Sequence, residues 1–151
     1  MGVSVVTIVR NRSAHLAQLV EGLRRSMHPP DELIIVDMSD EPVTVGPTSI
    51  PVRVDRFKAD GLPLAAARNR GAALASHDML VFLDVDCIPL RDCVGLLVKA
   101  LRARDALLCA DVRYLGPDDA RGSWEEADLL KHGRAHPVRT FPTQGVREET
   151  N

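Results

Sequence analysis

The stretch Val3-Ser-Val-Val-Thr-Ile-Val9 is apolar or β-branched at nearly every position. A strand that buries only one face alternates apolar and polar residues, whereas this run has no consistently polar face. Continuous runs of this kind are typical of parallel sheets, because helices cover both faces of such a sheet. The sequence therefore predicts a buried parallel strand at residues 3–9.

Four further stretches have the composition of strands. Glu32–Asp37 and Met79–Asp84 are strongly apolar, Pro51–Asp55 is shorter, and Leu107–Leu115 can form a fifth strand. Helical patterns separate these stretches, and strands that alternate with helices favour a parallel sheet. We therefore predict an α/β fold with a mainly parallel sheet flanked by helices.

The intervening segments carry apolar residues at helical spacing. In the first of them the apolar stripe consists of Leu16, Leu19, Val20, Leu23 and Met27. Ser13 precedes this stripe and has a side chain suited to a helix N-cap. A second helix is predicted to begin at Gly61, and a third is predicted to end near Arg104. These helices supply the cover that a parallel sheet needs.

The sequence changes character after residue 115, where the run of predicted strands ends. Ser123 and Glu126 have the spacing of a capping box, which predicts the start of a helix. Gly133 is a typical residue to end that helix after His132. We therefore expect residues 1–115 to form one domain and residues 116–151 to form an extension, with a short helix at about 123–132 and an irregular tail.

Composition excludes several classes of protein. The chain has 151 residues, of which 45% are hydrophobic and 26% are charged, and its net charge of -2 gives no basic footprint for nucleic acid. No apolar run approaches the ~20 residues of a membrane span, and the N-terminus does not resemble a signal peptide. We expect a cytoplasmic protein, with peripheral contact to the inner membrane face left open. The three cysteines are expected to be free thiols.

Two carboxylates follow the apolar stretch that begins at Met79. Asp84 and Asp86 lie one residue apart, at the carboxyl end of a predicted parallel strand, where such sheets bind ligands. Carboxylate oxygens suit Mg²⁺ or Mn²⁺, and an ion held this way can neutralise a departing phosphate. The pattern Asp-x-Asp is common, so an acidic strand end with nothing bound is the alternative.

Three other residues are candidates for ligand contacts. Asp37 also ends a predicted strand and can accept a hydrogen bond from a ribose hydroxyl or a base, although a turn-forming aspartate is the alternative. Arg68 and Asn69 lie in Ala67-Arg-Asn-Arg-Gly71, near the start of a predicted helix. Arginine can bind phosphate oxygens and asparagine can both donate and accept. An exposed helix face is the alternative interpretation of both residues.

The order of these motifs resembles that of the family 2 glycosyltransferases, which are inverting enzymes with the GT-A fold. The motifs are Val5–Arg12, Asp31–Asp37, Ala66–Gly71 and Phe82–Asp86, and the resemblance covers about residues 3–115. It implies a Rossmann-like GT-A domain that binds a nucleotide sugar. The helix motif Ala-Arg-Asn-x-Gly and the Asp-x-Asp pair are its most specific parts.

The resemblance also implies a role for each candidate residue. Asp37 would lie beside the nucleoside, and Arg68 and Asn69 would line the nucleotide-sugar site together with Asp84. Asp84 and Asp86 would hold Mn²⁺ or Mg²⁺ against the diphosphate. The metal would stabilise the departing nucleoside diphosphate while an acceptor hydroxyl attacks the anomeric carbon. A UDP-sugar is the default donor.

The sequence departs from the family pattern in three respects. Arg10 replaces the aromatic residue that often follows the first strand, and Met38 replaces a second acid after Asp37. Beyond Leu115 there is no evident catalytic base. We therefore expect a donor-binding half, truncated or fragmentary, with the base outside this chain. The acceptor (a glycan, a lipid or another molecule) stays open, as does homo-oligomer formation.

Two alternatives remain at this point. One is a non-catalytic α/β interaction domain derived from such an enzyme, which the missing base would explain. The other is a phosphatase of the haloacid dehalogenase type, whose nucleophile is the first acid of an Asp-x-Asp pair. That pair normally lies near the N-terminus and is often followed two residues later by Thr, whereas here it lies at 84–86 and is followed by Cys87-Ile88.

Overall fold

The computed structural model of the protein describes residues 2–135. The chain divides into two compact units, with the division between Leu108 and Cys109. Within the described residues, the first unit holds a four-stranded sheet and three helices, and the second holds a two-stranded ribbon and a short helix. The predicted irregular tail is wrong at its first two residues, Arg134–Ala135, which form a strand, and the rest of it lies outside the described residues.

The first unit alternates strands and helices along the chain. Its elements are β1 (Val3–Val9), α1 (Ser13–Arg24), β2 (Glu32–Asp37), β3 (Val52–Arg56), α2 (Leu64–Leu74), β4 (Met79–Phe82) and α3 (Cys93–Ala103). The strands pair in the order β3-β2-β1-β4, and every pair is parallel. The predicted α/β class with a parallel sheet is therefore confirmed.

Helices cover both faces of this sheet, which explains the lack of alternation in the central strands. All seven residues of β1 are buried. Leu19 of α1 packs in one cluster with Val5 of β1 and Leu33 of β2, and each such buried side chain contributes about 1.5–3 kcal/mol to stability. On the other face, Ala67 of α2 packs in a second cluster with Ile8. The sheet is thus a rigid base for the loops at its carboxyl edge.

Gly71 lets α2 lie close to the sheet. A Cβ atom at this position would overlap Cγ1 of Val6 and would lie 3.3 Å from Cγ2 of Val36. The glycine is therefore needed for its lack of a side chain, and the close packing sets the position of α2 over β1 and β2.

The first helix differs from the prediction at both ends. Ser13 is its first helical residue, and the N-cap position belongs to Arg12, which forms no side-chain cap, so the predicted Ser13 cap is wrong. Met27 lies beyond the helix and is 57% exposed. The chain turns after the last helical residue. There the hydroxyl of Ser26 accepts a hydrogen bond from the N–H of His28, and the N–H of Met27 donates to the backbone carbonyl of Arg91. This turn carries Met27 away from the apolar stripe.

The predicted fifth strand of the sheet is wrong. Within residues 107–115 only β5 (Arg113–Tyr114) is a strand, and it pairs antiparallel with β6 (Arg134–Ala135) in a separate ribbon. Leu107 is fully exposed, so the apolar character of this stretch does not reflect a buried strand.

The helix of the second unit, α4 (Glu126–His132), begins later than predicted. Glu125 is its N-cap and forms no side-chain cap, so the predicted capping box at Ser123 is wrong. Its predicted end at Gly133 is confirmed, and the N–H of Gly133 donates to the carbonyl of Leu129 at 2.8 Å. None of the helices within residues 2–135 combines the length and the apolar character that a membrane span requires.

Candidate functional site

A cavity of about 510 Å³ lies at the carboxyl edge of the parallel sheet. Three parts of the chain line it. The segments that follow β1 and β2 supply Arg10, Asn11, Arg12 and Met38, and the segment that follows β4 supplies Asp84, Val85 and Asp86. Helix α2 and the residues just before it supply Leu62, Leu64 and Arg68. Ile8 of β1 completes the lining. Parallel sheets bind their ligands at this edge, so the cavity is the candidate site.

A turn directs both acids of the Asp-x-Asp pair to this cavity. β4 ends at Phe82, two residues before Asp84, although the N–H of Leu83 still donates a hydrogen bond to the carbonyl oxygen of Val6 in β1. The N–H of Cys87 donates to the carbonyl oxygen of Asp84 at 2.9 Å, which closes a turn across the pair. Residues two apart already lie on the same face of a strand, and after this turn both exposed acids line one cavity.

Arg68 forms an ion pair with one of these acids. Its Nη2 donates to Oδ1 of Asp84 at 2.8 Å. The Arg68 side chain is 40% exposed and that of Asp84 is 65% exposed, so the pair contributes at most about 1 kcal/mol to stability. Asp86, by contrast, forms no hydrogen bond or ion pair with any residue in the described part of the chain.

The two acids fit a divalent cation that shares its ligands with a bound molecule. Within residues 2–135 no cluster of three His, Cys, Asp or Glu side chains could hold a metal ion alone. Mg²⁺ in phosphate-transfer sites is typically held by one or two carboxylates, with phosphate and water oxygens as its other ligands. Asp84 and Asp86 match that pattern, because both carboxylates are exposed to the cavity.

Asp37 lies at the end of β2, but its side chain is completely buried. Its Oδ1 accepts from the N–H of Ser39 at 2.9 Å, and its Oδ2 accepts from the N–H of Val43 at 3.0 Å and from Nη1 of Arg56 at 2.6 Å. Burial alone would raise the pKa of Asp37, but these hydrogen bonds outweigh it and hold the pKa below its usual value. The folded protein thus favours the ionised carboxylate, which accepts hydrogen bonds from these three protein donors.

The two other polar residues of the motif Ala67–Gly71 lie away from the cavity. Asn69 is exposed and is not part of the lining, so its predicted contact with a nucleotide sugar stays a prediction. Arg70 forms a two-point ion pair with Asp55 of β3, and its guanidinium stacks over Phe57 with its Cζ 5.3 Å from the ring centre. The motif therefore directs Arg68 to the cavity and Arg70 to the β3 side of α2.

Sequence reasoning missed Asn11 and its partners. Asn11 has a φ of 54°, in the left-handed region, which asparagine tolerates better than most residues. Its backbone N–H donates to Oγ of Ser39 at 2.9 Å, and its side-chain amide exchanges two hydrogen bonds with Asp40. The only signal in the sequence was an asparagine two residues after a strand, and it does not identify a partner 29 residues away.

The surroundings of Cys87, beside the acid pair, favour its thiol form over the thiolate. Burial raises the pKa of Cys87, and the negative charges of Asp86 and Asp84 raise it further. Burial also raises the pKa of Cys93. All three cysteines are free, as predicted. This environment disfavours the thiolate form that a cysteine nucleophile needs.

Solved structures share the fold of this chain. The crystal structure of S. aureus TarS has a TM-score of 0.54 at 16% identity, over 68% of this chain and 20% of that chain. TarS 1–349 in complex with UDP-GlcNAc has a TM-score of 0.58 at 15% identity, over 83% of this chain and 37% of that one. TarS 1–349 in complex with UDP has a TM-score of 0.58 at 16% identity, over 83% of this chain and 38% of that one. At identities this low, the TM-scores establish a shared fold and no more, and that fold is of the GT-A type.

The chain spans between one fifth and about two fifths of the length of these structures. No curated protein matches it. The family model described as Glycosyl transferase family 2 matches residues 4–147, which is nearly the whole chain. This protein is therefore a member of glycosyl transferase family 2.

Proposed function

We propose that this chain supplies the donor- and metal-binding half of an inverting, metal-dependent glycosyltransferase. The enzyme would transfer a sugar from a nucleoside-diphosphate sugar to an acceptor hydroxyl. The observation that carries the proposal is the convergence of Asp84, Asp86 and Arg68 on one cavity at the carboxyl edge of a parallel sheet. This set combines two ligands for a divalent cation with a guanidinium that suits a phosphate oxygen.

Asp84 and Asp86 would hold Mn²⁺ or Mg²⁺, which supplies positive charge next to the diphosphate when it is bound. Arg10, Arg12 and Arg68 line the same cavity and add guanidinium groups that can form two-point hydrogen bonds with phosphate. Since the diphosphate gains negative charge as the bond to the sugar breaks, these cations favour its departure.

The nucleoside would lie against the loops that follow β1 and β2. Met38 and Ile8 give this part of the cavity an apolar surface. Asp37 would act on the nucleoside through the loop that its buried carboxylate organises, and Asn69 would contribute at the rim. TarS 1–349 has been crystallised with UDP and with UDP-GlcNAc, which favours a uridine diphosphate sugar as the donor proposed here.

An inverting transfer also needs a base to take the proton of the acceptor hydroxyl. The acids that line the cavity within residues 2–135 are Asp84 and Asp86, and both are assigned to the metal. We propose that the base comes from outside this chain. The acceptor and the cytoplasmic location stay predictions from the sequence.

The test is titration calorimetry of UDP binding with and without Mn²⁺. The unsubstituted chain should bind UDP more tightly when Mn²⁺ is present. Asp84→Asn and Asp86→Asn should abolish this enhancement, because an amide is a weaker ligand than a carboxylate for a hard cation. Asp78→Asn is the matched control, since Asp78 is an exposed acid just before β4, at the other end of that strand.

UDP binding that is the same with and without Mn²⁺ contradicts metal dependence. Equal enhancement in Asp84→Asn and in the control contradicts the assignment of the metal site. A chain that binds no nucleotide under any condition, but associates stably with another protein, would favour the non-catalytic interaction domain instead.

A further inference from the structure

Arg56, the last residue of β3, forms hydrogen bonds that hold the loop after β2 in place. Its Nη1 donates to Oδ2 of Asp37 at 2.6 Å, and its Nη2 donates to the carbonyl oxygens of Ser39 at 2.9 Å and Asp40 at 3.4 Å. One guanidinium therefore holds a buried carboxylate and two successive peptide groups at once. Arginine suits this task because its donors form a rigid planar fork.

The same loop is also hydrogen-bonded to the segment after β1. Ser39 accepts the backbone N–H of Asn11 with its hydroxyl, at 2.9 Å. Asn11 Nδ2 donates to Oδ2 of Asp40 at 2.7 Å, and the N–H of Asp40 donates to Oδ1 of Asn11 at 3.0 Å. The two loops thus form one hydrogen-bonded unit, which we term the Asn11–Asp40 latch.

The latch forms part of the cavity surface. Asn11 and Met38, one from each loop, line the cavity, whereas Arg56 does not. Met38 is also fixed at its backbone, because its N–H donates to the carbonyl of Val9 at 2.8 Å. The chain of contacts therefore runs from Arg56 through Ser39 to Asn11, and Met38 lies between Asp37 and Ser39 in the same loop.

We propose that Arg56 is a positioning residue for the nucleotide: it fixes the Asn11–Asp40 latch and thereby the wall on which the nucleoside lies. The inference rests on the proposed function, since it assigns a role to the wall of that same site. Arg56 acts at the β1–β2 side of the cavity, whereas the acids assigned to the metal follow β4. Loss of Arg56 should therefore weaken nucleotide binding and leave metal binding intact.

The variant Arg56→Lys tests this separation. Lysine keeps a positive charge near the buried Asp37, so we expect the fold to be retained, but its single ammonium cannot hold the carboxylate and the two carbonyls together. UDP affinity in the presence of Mn²⁺ should fall about tenfold, an order-of-magnitude estimate that corresponds to one or two lost hydrogen bonds. Mn²⁺ affinity in the absence of UDP should stay within about twofold of the parent value, since the metal acids are untouched.

A second variant covers the case in which Arg56→Lys does not fold. Ser39→Ala removes the acceptor of the Asn11 N–H without any change of charge, and it should also weaken UDP binding while Mn²⁺ affinity is kept. Combined with Arg56→Lys it should give less than the sum of the two effects, because both act through the latch. Arg24→Lys is the matched control, since Arg24 pairs with Glu21 on the exposed side of α1.

Backbone and side-chain amide signals of Asn11 provide a readout that lost stability alone would not give. In nuclear magnetic resonance spectra they should shift in Arg56→Lys and stay in place in Arg24→Lys. Unchanged UDP affinity in a folded Arg56→Lys protein overturns the inference, as does a parallel loss of Mn²⁺ and UDP affinity. A parent protein that binds no UDP with Mn²⁺ overturns the proposed function, and the inference with it.

Discussion

Nη2 of Arg68 lies 2.8 Å from Oδ1 of Asp84, so α2 and the segment after β4 are joined by an ion pair inside the candidate site. A divalent cation that uses both oxygens of Asp84 has to displace this guanidinium. A diphosphate can compensate, because it offers Arg68 a second anionic partner. Under the proposed function, the pair would therefore link the binding of the metal to that of the nucleotide.

The variant Arg68→Gln should change the affinity for Mn²⁺ and the affinity for UDP in opposite directions. Mn²⁺ alone should bind up to about fivefold more tightly, since an exposed ion pair is worth about 0–1 kcal/mol and no longer competes. UDP should bind more weakly in the presence of Mn²⁺, because a phosphate partner is lost. Calorimetric titrations of each ligand provide the measurement, with Arg24→Gln as the control. Weaker binding of Mn²⁺ alone would contradict the competition.

Stability should fall in acid through Asp37. Its pKa is lowered in the folded protein, because hydrogen bonds from Val43, Ser39 and Arg56 outweigh the effect of burial. A lowered carboxyl pKa contributes stability that is complete above the usual value of about 3.9 and is lost as the pH falls through the folded value. Urea unfolding at a series of pH values between about 7 and 2 measures this loss.

The variant Asp37→Asn provides the control for that pH series. It should be less stable at pH 7, because Arg56 loses its anionic partner, and its stability should depend less on pH below about 4. An identical acid dependence in the parent and in Asp37→Asn would assign the loss to other carboxylates.

Gly71→Ala should destabilise the protein, although alanine favours a helix by about 1 kcal/mol over glycine. The added methyl would overlap Val6 and press on Val36, and overpacking of this kind costs about 1–3 kcal/mol. Thermal unfolding should show a lower Tm. Gly46→Ala is the matched control, because a Cβ there meets no atom within 4 Å. Equal Tm values for the two variants would mean that α2 shifts without strain.

Thr7→Val should stabilise the protein. The hydroxyl of Thr7 is buried in the middle of β1 and has no hydrogen-bond partner in the described part of the chain. Its removal should gain about 1 kcal/mol, because a buried unpaired polar group costs about 1–3 kcal/mol. In the comparison variant Thr48→Val, the N–H of Ile50 loses its acceptor, so the sign should reverse. Chemical denaturation of both proteins checks the two signs, and a less stable Thr7→Val would contradict the first.

The sequence was most informative where one local pattern determines one element. β1 and β2 have the predicted bounds, since continuous apolar runs leave a strand no face to expose. The predicted caps at Ser13 and Ser123 failed, because a favourable residue near a helix start does not fix the residue at which the helix begins. Leu107–Leu115 failed as a strand, because its apolar residues are not sheltered by a neighbouring layer.

The candidate site could be predicted only in part, for a related reason. Asp84 and Asp86 are separated by a single residue, and the turn after β4 keeps them together. Arg56 and Asn11 are far apart in the sequence, and their connection exists only because parallel pairing aligns the ends of β1, β2 and β3. A single sequence carries no pattern from which such a contact between loops can be deduced.

The Asn11–Asp40 latch constrains how natural variants can diverge. Asparagine at position 11 satisfies two demands at once, a left-handed backbone and a side chain that both donates and accepts. Glycine would meet only the first demand, and it would leave the carboxylate of Asp40 without its amide. Substitutions at positions 11 and 40 should therefore be inherited as a pair, and homologues that lose one of them should have lost the other.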